Sequence, residues 1–414
     1  MLKSRNALTY SLLTGLFLSS WTDINGIFAE LPQIVLYQPE SWALGANLAL
    51  VTNFGNIAPF GLILFKCLSK RQFNPVPLNY IIIIIGMVSC LLLVFFWHYT
   101  IQIGSRYHSV ALLSLAFFLS LLDCTSSVTF ADYIQHYRQE YTSTLFLGES
   151  LTSIIPSLLA VAQGNGRIYC SNSTTTNTTI VVYETARFSI SIYFLCLFFL
   201  LTLSLISFIL LQWTSLGTRA RSNHDKISTE ESPSDNNGMK MTLSSYILFS
   251  ILCVYTSGII FGVLLSISTY VLIPYGQRIF YLGTVLSPWM LVLVWILGMI
   301  KPLVQKKFVL LFVLLGTLVF IIDLFVCVKS PCPPLIDTKI GNFLILFVWL
   351  LTYVCLGYPR LVIANYLRTY SQEAMFWFGV YVQLGALVGS VISYILIEIL
   401  KVFRERSPCE NVCY

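Results

Sequence analysis

Eleven apolar runs, each long enough to cross a bilayer, limit what this chain can fold into. They sit near residues 8–31, 43–65, 79–98, 109–131, 143–163, 187–212, 243–266, 279–300, 307–328, 341–362 and 375–399. A helix needs about 20 apolar residues to span the hydrocarbon. Short segments separate most of the runs, so the spacing predicts eleven transmembrane helices in 414 residues. The chain is 57% hydrophobic and only 10% charged, whereas soluble domains carry about 25% charged residues. The fold class is an all-α polytopic membrane protein. Lys3 and Arg5 ahead of the first run imitate a signal peptide. Apolar character continues past Trp21 to Leu31, too long for a signal-peptide core, so this run reads as a retained helix.

The longest gap, 213–242, is rich in Ser, Asn, Asp, Glu and Lys and has the composition of a flexible linker. It predicts a six-helix half over 1–212, a cytoplasmic linker over 213–242, a five-helix half over 243–400 and an extracellular tail over 401–414. Two halves joined in this way suit alternating access. Of the 24 Lys and Arg residues, 15 fall on the side of the N-terminus, Arg360 and Arg368 among them, and 9 on the other. That excess predicts a cytoplasmic N-terminus and an extracellular C-terminus. The net charge of +6 comes with no basic cluster dense enough for nucleic acid.

Two sequons, Asn172-Ser173-Thr174 and Asn177-Thr178-Thr179, fall in one outward loop. Asn172 and Asn177 are therefore candidate glycosylation sites. Cys170, Cys332, Cys409 and Cys413 also lie outside the runs on the outward side, an even set that suits disulfides. Four cysteines allow three pairings. The short tail, with no other anchor in the sequence, favours Cys332 with Cys409. His98, His108, His136 and His224 lack metal-ligand spacing, and no phosphate loop or nucleophile elbow is present. The sequence implies no enzyme, no cofactor and no metal.

Polar residues inside the runs carry the functional signal. An acid at the bilayer centre costs about 2.5–3.5 kcal/mol on insertion scales. The first run nonetheless holds Trp21-Thr22-Asp23-Ile24-Asn25-Gly26-Ile27-Phe28-Ala29-Glu30-Leu31-Pro32. Helical spacing puts Trp21, Asn25 and Phe28 on one stripe and Asp23 and Glu30 on another. Both cannot face lipid. Either protein surrounds this helix, or it breaks at Asn25-Gly26 and again before Pro32. In the fifth run Glu149, Thr152, Ser153, Pro156, Ala160 and Gln163 share one arc, which reads as cavity lining. Thr52, Asn53 and Asn56 cluster in the second run, and Asp123, Ser126, Ser127 and Thr129 in the fourth. The last run carries a Gly385-x-x-x-Gly389 packing motif and, on another arc, Gln383. Asp323 has no evident local partner.

Several segments, in this order, resemble the eukaryotic riboflavin transporter family of solute carriers. They begin with Trp21, Asn25-Gly26 and Glu30-Leu31-Pro32, then Pro39-Glu40-Ser41-Trp42 and His108-Ser109-Val110-Ala111. Val128-Thr129-Phe130, Phe146-Leu147-Gly148-Glu149, Ile155-Pro156 and Gln163-Gly164 come next. Pro274-Tyr275-Gly276, Ser330-Pro331-Cys332-Pro333-Pro334-Leu335, Gln383-Leu384-Gly385 and the cysteines of the tail complete the set. The pattern departs at Ser126-Ser127-Val128 and at Phe261-Gly262-Val263-Leu264-Leu265, where the family carries amides. The resemblance implies eleven helices in a bundle similar to equilibrative nucleoside transporters and major facilitators. It also implies sodium-independent uptake of riboflavin at the plasma membrane.

A neutral flat ring with a hydroxyl-rich chain calls for aromatic faces and aligned polar groups. The candidate substrate-binding residues are Trp21, Asn25, Phe28, Glu30, Glu149, Tyr275 and Gln383. Glu149 is also the candidate for any proton sensitivity of uptake. The alternatives are a carrier of another neutral polar ring, such as a nucleoside or sugar, and a cell-surface receptor. The expected partners are riboflavin and the lipid bilayer. The sequence leaves the oligomeric state open.

Overall fold

The structure, a computed structural model, describes residues 2–69, 74–138, 141–172, 179–184, 186–221, 243–300, 306–370, 372–406 and 413. The helices are α1 (Leu2–Phe17), α2 (Thr22–Ile34), α3 (Leu44–Phe54), α4 (Ile57–Ser69), α5 (Pro75–Phe96), α6 (Val110–Gln135), α7 (Thr142–Gln163) and α8 (Ile190–Trp213). They continue with α9 (Ser215–Ala220), α10 (Leu243–Ser257), α11 (Leu265–Leu272), α12 (Gln277–Ile300), α13 (Lys306–Val328), α14 (Lys339–Tyr370) and α15 (Gln372–Tyr394). A π-helical segment, Gly258–Leu264, joins α10 to α11. Two antiparallel hairpins lie at one end of the bundle, β1 (Ile101–Ile103) with β2 (Arg106–His108), and β3 (Arg167–Asn172) with β4 (Thr179–Glu184).

Ten helical stretches among the described residues are long and apolar enough to span a membrane. They coincide with the second to eleventh apolar runs. The first run is α1 and α2, separated by a turn over 18–21. The break therefore falls one turn before Asn25-Gly26, and the helix runs on through Pro32. Hydroxyls explain where it falls. In lipid every backbone group needs an internal partner. Ser204 of α8 donates to the Leu16 carbonyl at 2.7 Å, and Ser19 donates to the same oxygen at 2.9 Å. Ser126 of α6 reaches the Ser20 carbonyl at 3.3 Å, and Thr22 donates to that of Leu18. Four hydroxyls thus take up carbonyls that the turn releases.

The apolar residues point both ways. Leu16, Phe17, Ile27, Leu197 and Leu201 are fully buried, whereas Leu311, Leu314, Leu318 and Phe325 lie in exposed positions along α13. A helix apolar all round is what a lipid solvent selects. Asp323 on the same helix is buried and accepts from Thr352 of α14 at 2.7 Å, which gives this acid its partner.

Small residues set the closest approaches. The Gly385–Gly389 pair of α15 meets Gly258 and Gly262 of the π segment, so two small-residue motifs face each other. A Cβ on Gly385 would lie 2.2 Å from the Val254 carbonyl oxygen, and one on Gly389 2.2 Å from that of Gly258. The second motif, Gly258-x-x-x-Gly262, also belongs to this contact. Gly26 acts likewise on the other side of the bundle, where a Cβ would meet the Leu197 side chain of α8 at 2.4 Å.

Two quoted sequence segments meet at the hairpin end. Glu40 accepts from the Ser109 backbone N–H and hydroxyl, both at 2.7 Å, and lies 3.7 Å from His108 Nδ1. One carboxylate thereby caps α6 and ties the α2–α3 connection to it. The chain after α15 is anchored too. Glu405 accepts from the Trp42 N–H at 3.3 Å, and Ser330 donates to the Arg404 carbonyl at 3.1 Å.

This anchoring corrects the expected disulfide. Cys332 is bonded to Cys413, not to Cys409, with the two Cα atoms 5.6 Å apart. The tail is fixed across the 329–338 loop at Arg404 and Glu405, and from there residue 413 comes within bridging range of Cys332. Cys170 is also disulfide-bonded, and Cys409 lies outside the described residues.

Two measurements test this packing. Gly385→Val should destabilise the detergent-solubilised protein by about 1–3 kcal/mol, the usual cost of overpacking, read as an earlier thermal transition. An unchanged transition would mean that the two backbones are not in contact. A non-reducing peptide map should recover a Cys332–Cys413 peptide. Recovery of Cys332 joined to Cys409 would overturn the pairing.

Candidate functional site

Helix α2 enters the middle of the bundle and packs against α7, α8, α12 and α6. That surrounds its two polar stripes with protein, as one of the two readings required. The stripes diverge. Asp23 is fully buried, takes the Ile24 N–H at 3.0 Å and interacts with the buried side chain of Asp123 on α6. Glu30, 1% exposed, accepts from Gln163 of α7 at 2.8 Å. Gln163 also donates to the Phe188 carbonyl at 3.1 Å. The Glu30 carboxyl therefore clamps α2 to α7 near the hairpin end.

Asn25 lies on the other stripe and remains partly exposed inside the bundle. Its amide NH2 lies 3.3 Å from the Thr152 carbonyl, 3.4 Å from the Thr152 hydroxyl and 3.3 Å from that of Ser153. The polar arc of α7 thus divides in two. Towards the hairpin end it is used for packing: Pro156 O accepts from Tyr193 at 3.1 Å, and Ala160 O from Tyr281 at 3.0 Å. Towards the linker end Glu149 is partly exposed, about 10 Å along α7 from Thr142 at 1.5 Å per residue.

Opposite Glu149 stands Arg360, counted above among the charges on the side of the N-terminus although the tenth apolar run, 341–362, contains it. Arg360 belongs to the interior of α14, about 15 Å before Tyr370. The two side chains interact electrostatically across the bundle, from α7 to α14. The Arg360 guanidinium also lies 4.4 Å from the centre of the Phe261 ring, a cation–π contact. Its Nε is buried without a hydrogen-bond partner. Arg360 lines a cavity with Leu291, Trp295, Gly357, Leu361 and Phe378. The apolar run that resumes at Leu361-Val362-Ile363 was the available sequence signal that Pro359-Arg360 lies within a span. Arg360 accordingly casts no vote on orientation.

The other candidates distribute as follows. Trp21 sits at the turn before α2, one helical turn from Asn25, and Phe28 is 9% exposed one turn beyond. Tyr275 donates to the Pro334 carbonyl at 2.8 Å, which ties it to the 329–338 loop at the hairpin end. Gln383 is partly exposed, about 16 Å along α15 from Gln372. The structure therefore brings Asn25, Thr152 and Ser153 together on one side, with Glu149 next along α7 and Arg360 across from it. It leaves Glu30 and Tyr275 nearer the hairpin end. Asn172 lies in β3, and Asn177 lies outside the described residues. Among the described residues no group of three His, Cys, Asp or Glu side chains could hold a metal.

Comparison with known proteins gives one family. The sequence pattern described as solute carrier family 52, riboflavin transporter, matches residues 5–405. Family member 3-A from Danio rerio is 31% identical over 433 residues, covering 96% of this chain and 97% of the relative. Member 3 from Homo sapiens is 29% identical over 454 residues, with 96% and 97% covered. Among solved structures, a bacterial homologue of the human lysosomal transporter Spinster, inward-facing and unoccupied, aligns with a TM-score of 0.55 at 11% identity. That alignment covers 95% of this chain and 82% of the other. At such low identity the likeness concerns the fold alone.

Proposed function

The chain belongs to solute carrier family 52, the riboflavin transporters, and on that premise we propose that it takes up riboflavin across the plasma membrane by alternating access, without sodium. The observation that carries the reading is the polar patch of Asn25, Thr152, Ser153 and Glu149 at mid-bundle depth. Riboflavin is neutral near physiological pH and combines a flat tricyclic ring with a chain of hydroxyls. The Asn25 amide, the Ser153 hydroxyl and the Glu149 carboxyl, all partly exposed, can exchange hydrogen bonds with such a chain, whereas the buried Thr152 hydroxyl donates to the Glu149 carbonyl at 2.6 Å. Trp21 and Phe28, one turn to either side of Asn25, offer aromatic faces along the same stretch of the pathway.

Alternating access needs two bodies and a surface on which they move. Helices within 1–212 meet helices within 243–400 where α3 packs on α11 and α15, and where α2 and α7 pack on α12. Rocking about these contacts would open the patch to one end of the bundle and then the other. The hairpin end, with its sequons and disulfide, is the extracellular end in this reading. The linker end, with both termini of the 213–242 segment, is cytoplasmic. Tyr275 and Glu30 then serve the extracellular side of the pathway.

Uptake of labelled riboflavin into cells without a carrier of their own tests the proposal. Riboflavin and its close analogues should compete, and nucleosides and sugars should not. Competition by nucleosides in place of flavins would move the assignment to another neutral ring. Binding at the cell surface without net flux would favour a receptor. Asn25→Ala and Gln383→Ala should each lower uptake about tenfold at equal surface density, the loss expected for one substrate hydrogen bond. Wild-type kinetics in both variants, normalised to surface biotinylation, would remove these residues from the site.

A further inference from the structure

Arg360 is a cation in the middle of a membrane helix, and the Proposed function gives it no task. A buried guanidinium is costly unless its donors are used. Phe261 covers one face of it at 4.4 Å, but a ring face takes none of the in-plane N–H donors. Nε, at the edge of the group, is buried without a hydrogen-bond partner. The side chain lines a narrow cavity, about one water in size, with Trp295 and Phe378, so a ring can enter only when the helices around it part, and the Glu149 charge acts on it from across the bundle. An unused planar fork beside aromatic side chains, facing a carboxyl across the bundle, is suited to a flat ring with acceptors along one edge.

The pyrimidine ring of a flavin has such an edge: N1 and the C2 carbonyl accept side by side, and N3–H donates next to them. We propose that Arg360 is a substrate-contacting, specificity-determining residue that donates its fork to N1 and the C2 carbonyl of the flavin, with Glu149 accepting from N3–H. The proposal rests on the riboflavin reading and deepens it. Phe261 holds the guanidinium plane in place. Trp295 and Phe378 provide apolar walls for the ring. The hydroxyl-rich chain then extends towards Asn25, Thr152 and Ser153. A ring bridging Arg360 and Glu149 would join α14 to α7, one helix from each half.

Competition by two analogues tests this. In 1-deazariboflavin a C–H replaces the N1 acceptor at nearly unchanged shape, and in 5-deazariboflavin the change lies away from the N1–C2–N3 edge. The wild-type chain should prefer riboflavin over 1-deazariboflavin about tenfold, the size expected for loss of a hydrogen bond to a charged donor. It should accept 5-deazariboflavin about as well as riboflavin. Arg360→Gln and Arg360→Lys should both bring the first preference close to one and leave the second unchanged. Lys keeps the charge but not the fork, so an Arg360→Lys variant with full preference would overturn the proposal in favour of charge alone. Equal use of riboflavin and 1-deazariboflavin by the wild-type chain would overturn it without any variant, whatever the substitutions do to folding. A wild-type chain that carries no riboflavin would instead sink the riboflavin reading itself. The ratio of two substrates does not depend on surface amount, so a merely structural role of Arg360 would leave it unmoved.

Discussion

The need to satisfy polar groups away from water governs this structure. Lipid offers neither donors nor acceptors, so every amide, hydroxyl and carboxyl within the spans must find a protein partner or a polar cavity. The turn between α1 and α2 exists because hydroxyls from α6, α8 and its own residues cover the carbonyls it releases. Glu30 is tolerated because Gln163 donates to it, and Asp323 because Thr352 does. These bonds also select helix neighbours. Hydrophobicity cannot do so, because lipid is as apolar as leucine. Specific packing falls instead to hydrogen bonds and to small residues such as the Gly385–Gly389 pair against Gly258 and Gly262.

The groups that these bonds leave over are the ones to which the proposed function falls. Asn25 and Glu149 on one side and Arg360 on the other remain partly exposed within the bundle. Glu149 and Arg360 sit on different halves of the expected division and act electrostatically on each other. A pair of opposite charges at this depth favours the arrangement in which the two are close. A substrate that supplies both an acceptor and a donor can replace that contact without leaving either charge alone. Binding and the relative position of α7 and α14 would then be coupled through these two side chains.

Much of this was legible in the sequence because lipid imposes a simple length rule. Ten of the eleven apolar runs became single spanning stretches among the described residues, and the first divided into α1 and α2. Helical spacing shows the stripe through Asn25 and the arc through Thr152 and Ser153 separately, and the fold brings the two together. Other features depend on tertiary partners that spacing does not encode. The turn fell at 18–21 because Ser126 and Ser204 come from helices about a hundred residues or more away. Cys332 chose Cys413 because the tail is fixed at Arg404 and Glu405. Arg360 falls within the tenth apolar run, but only the packing of α14 brings it against Phe261 and into reach of Glu149.

The central claim is that this interior polar patch moves a neutral ring compound across the membrane, and counterflow in proteoliposomes tests it most directly. Vesicles containing the purified protein are loaded with unlabelled riboflavin and diluted into a trace of labelled riboflavin, with the same sodium-free buffer on both sides. A carrier that alternates between two faces should accumulate label transiently above its equilibrium level, and loading with a nucleoside should not support this. Label that only equilibrates, or is bound without entering, would contradict the account.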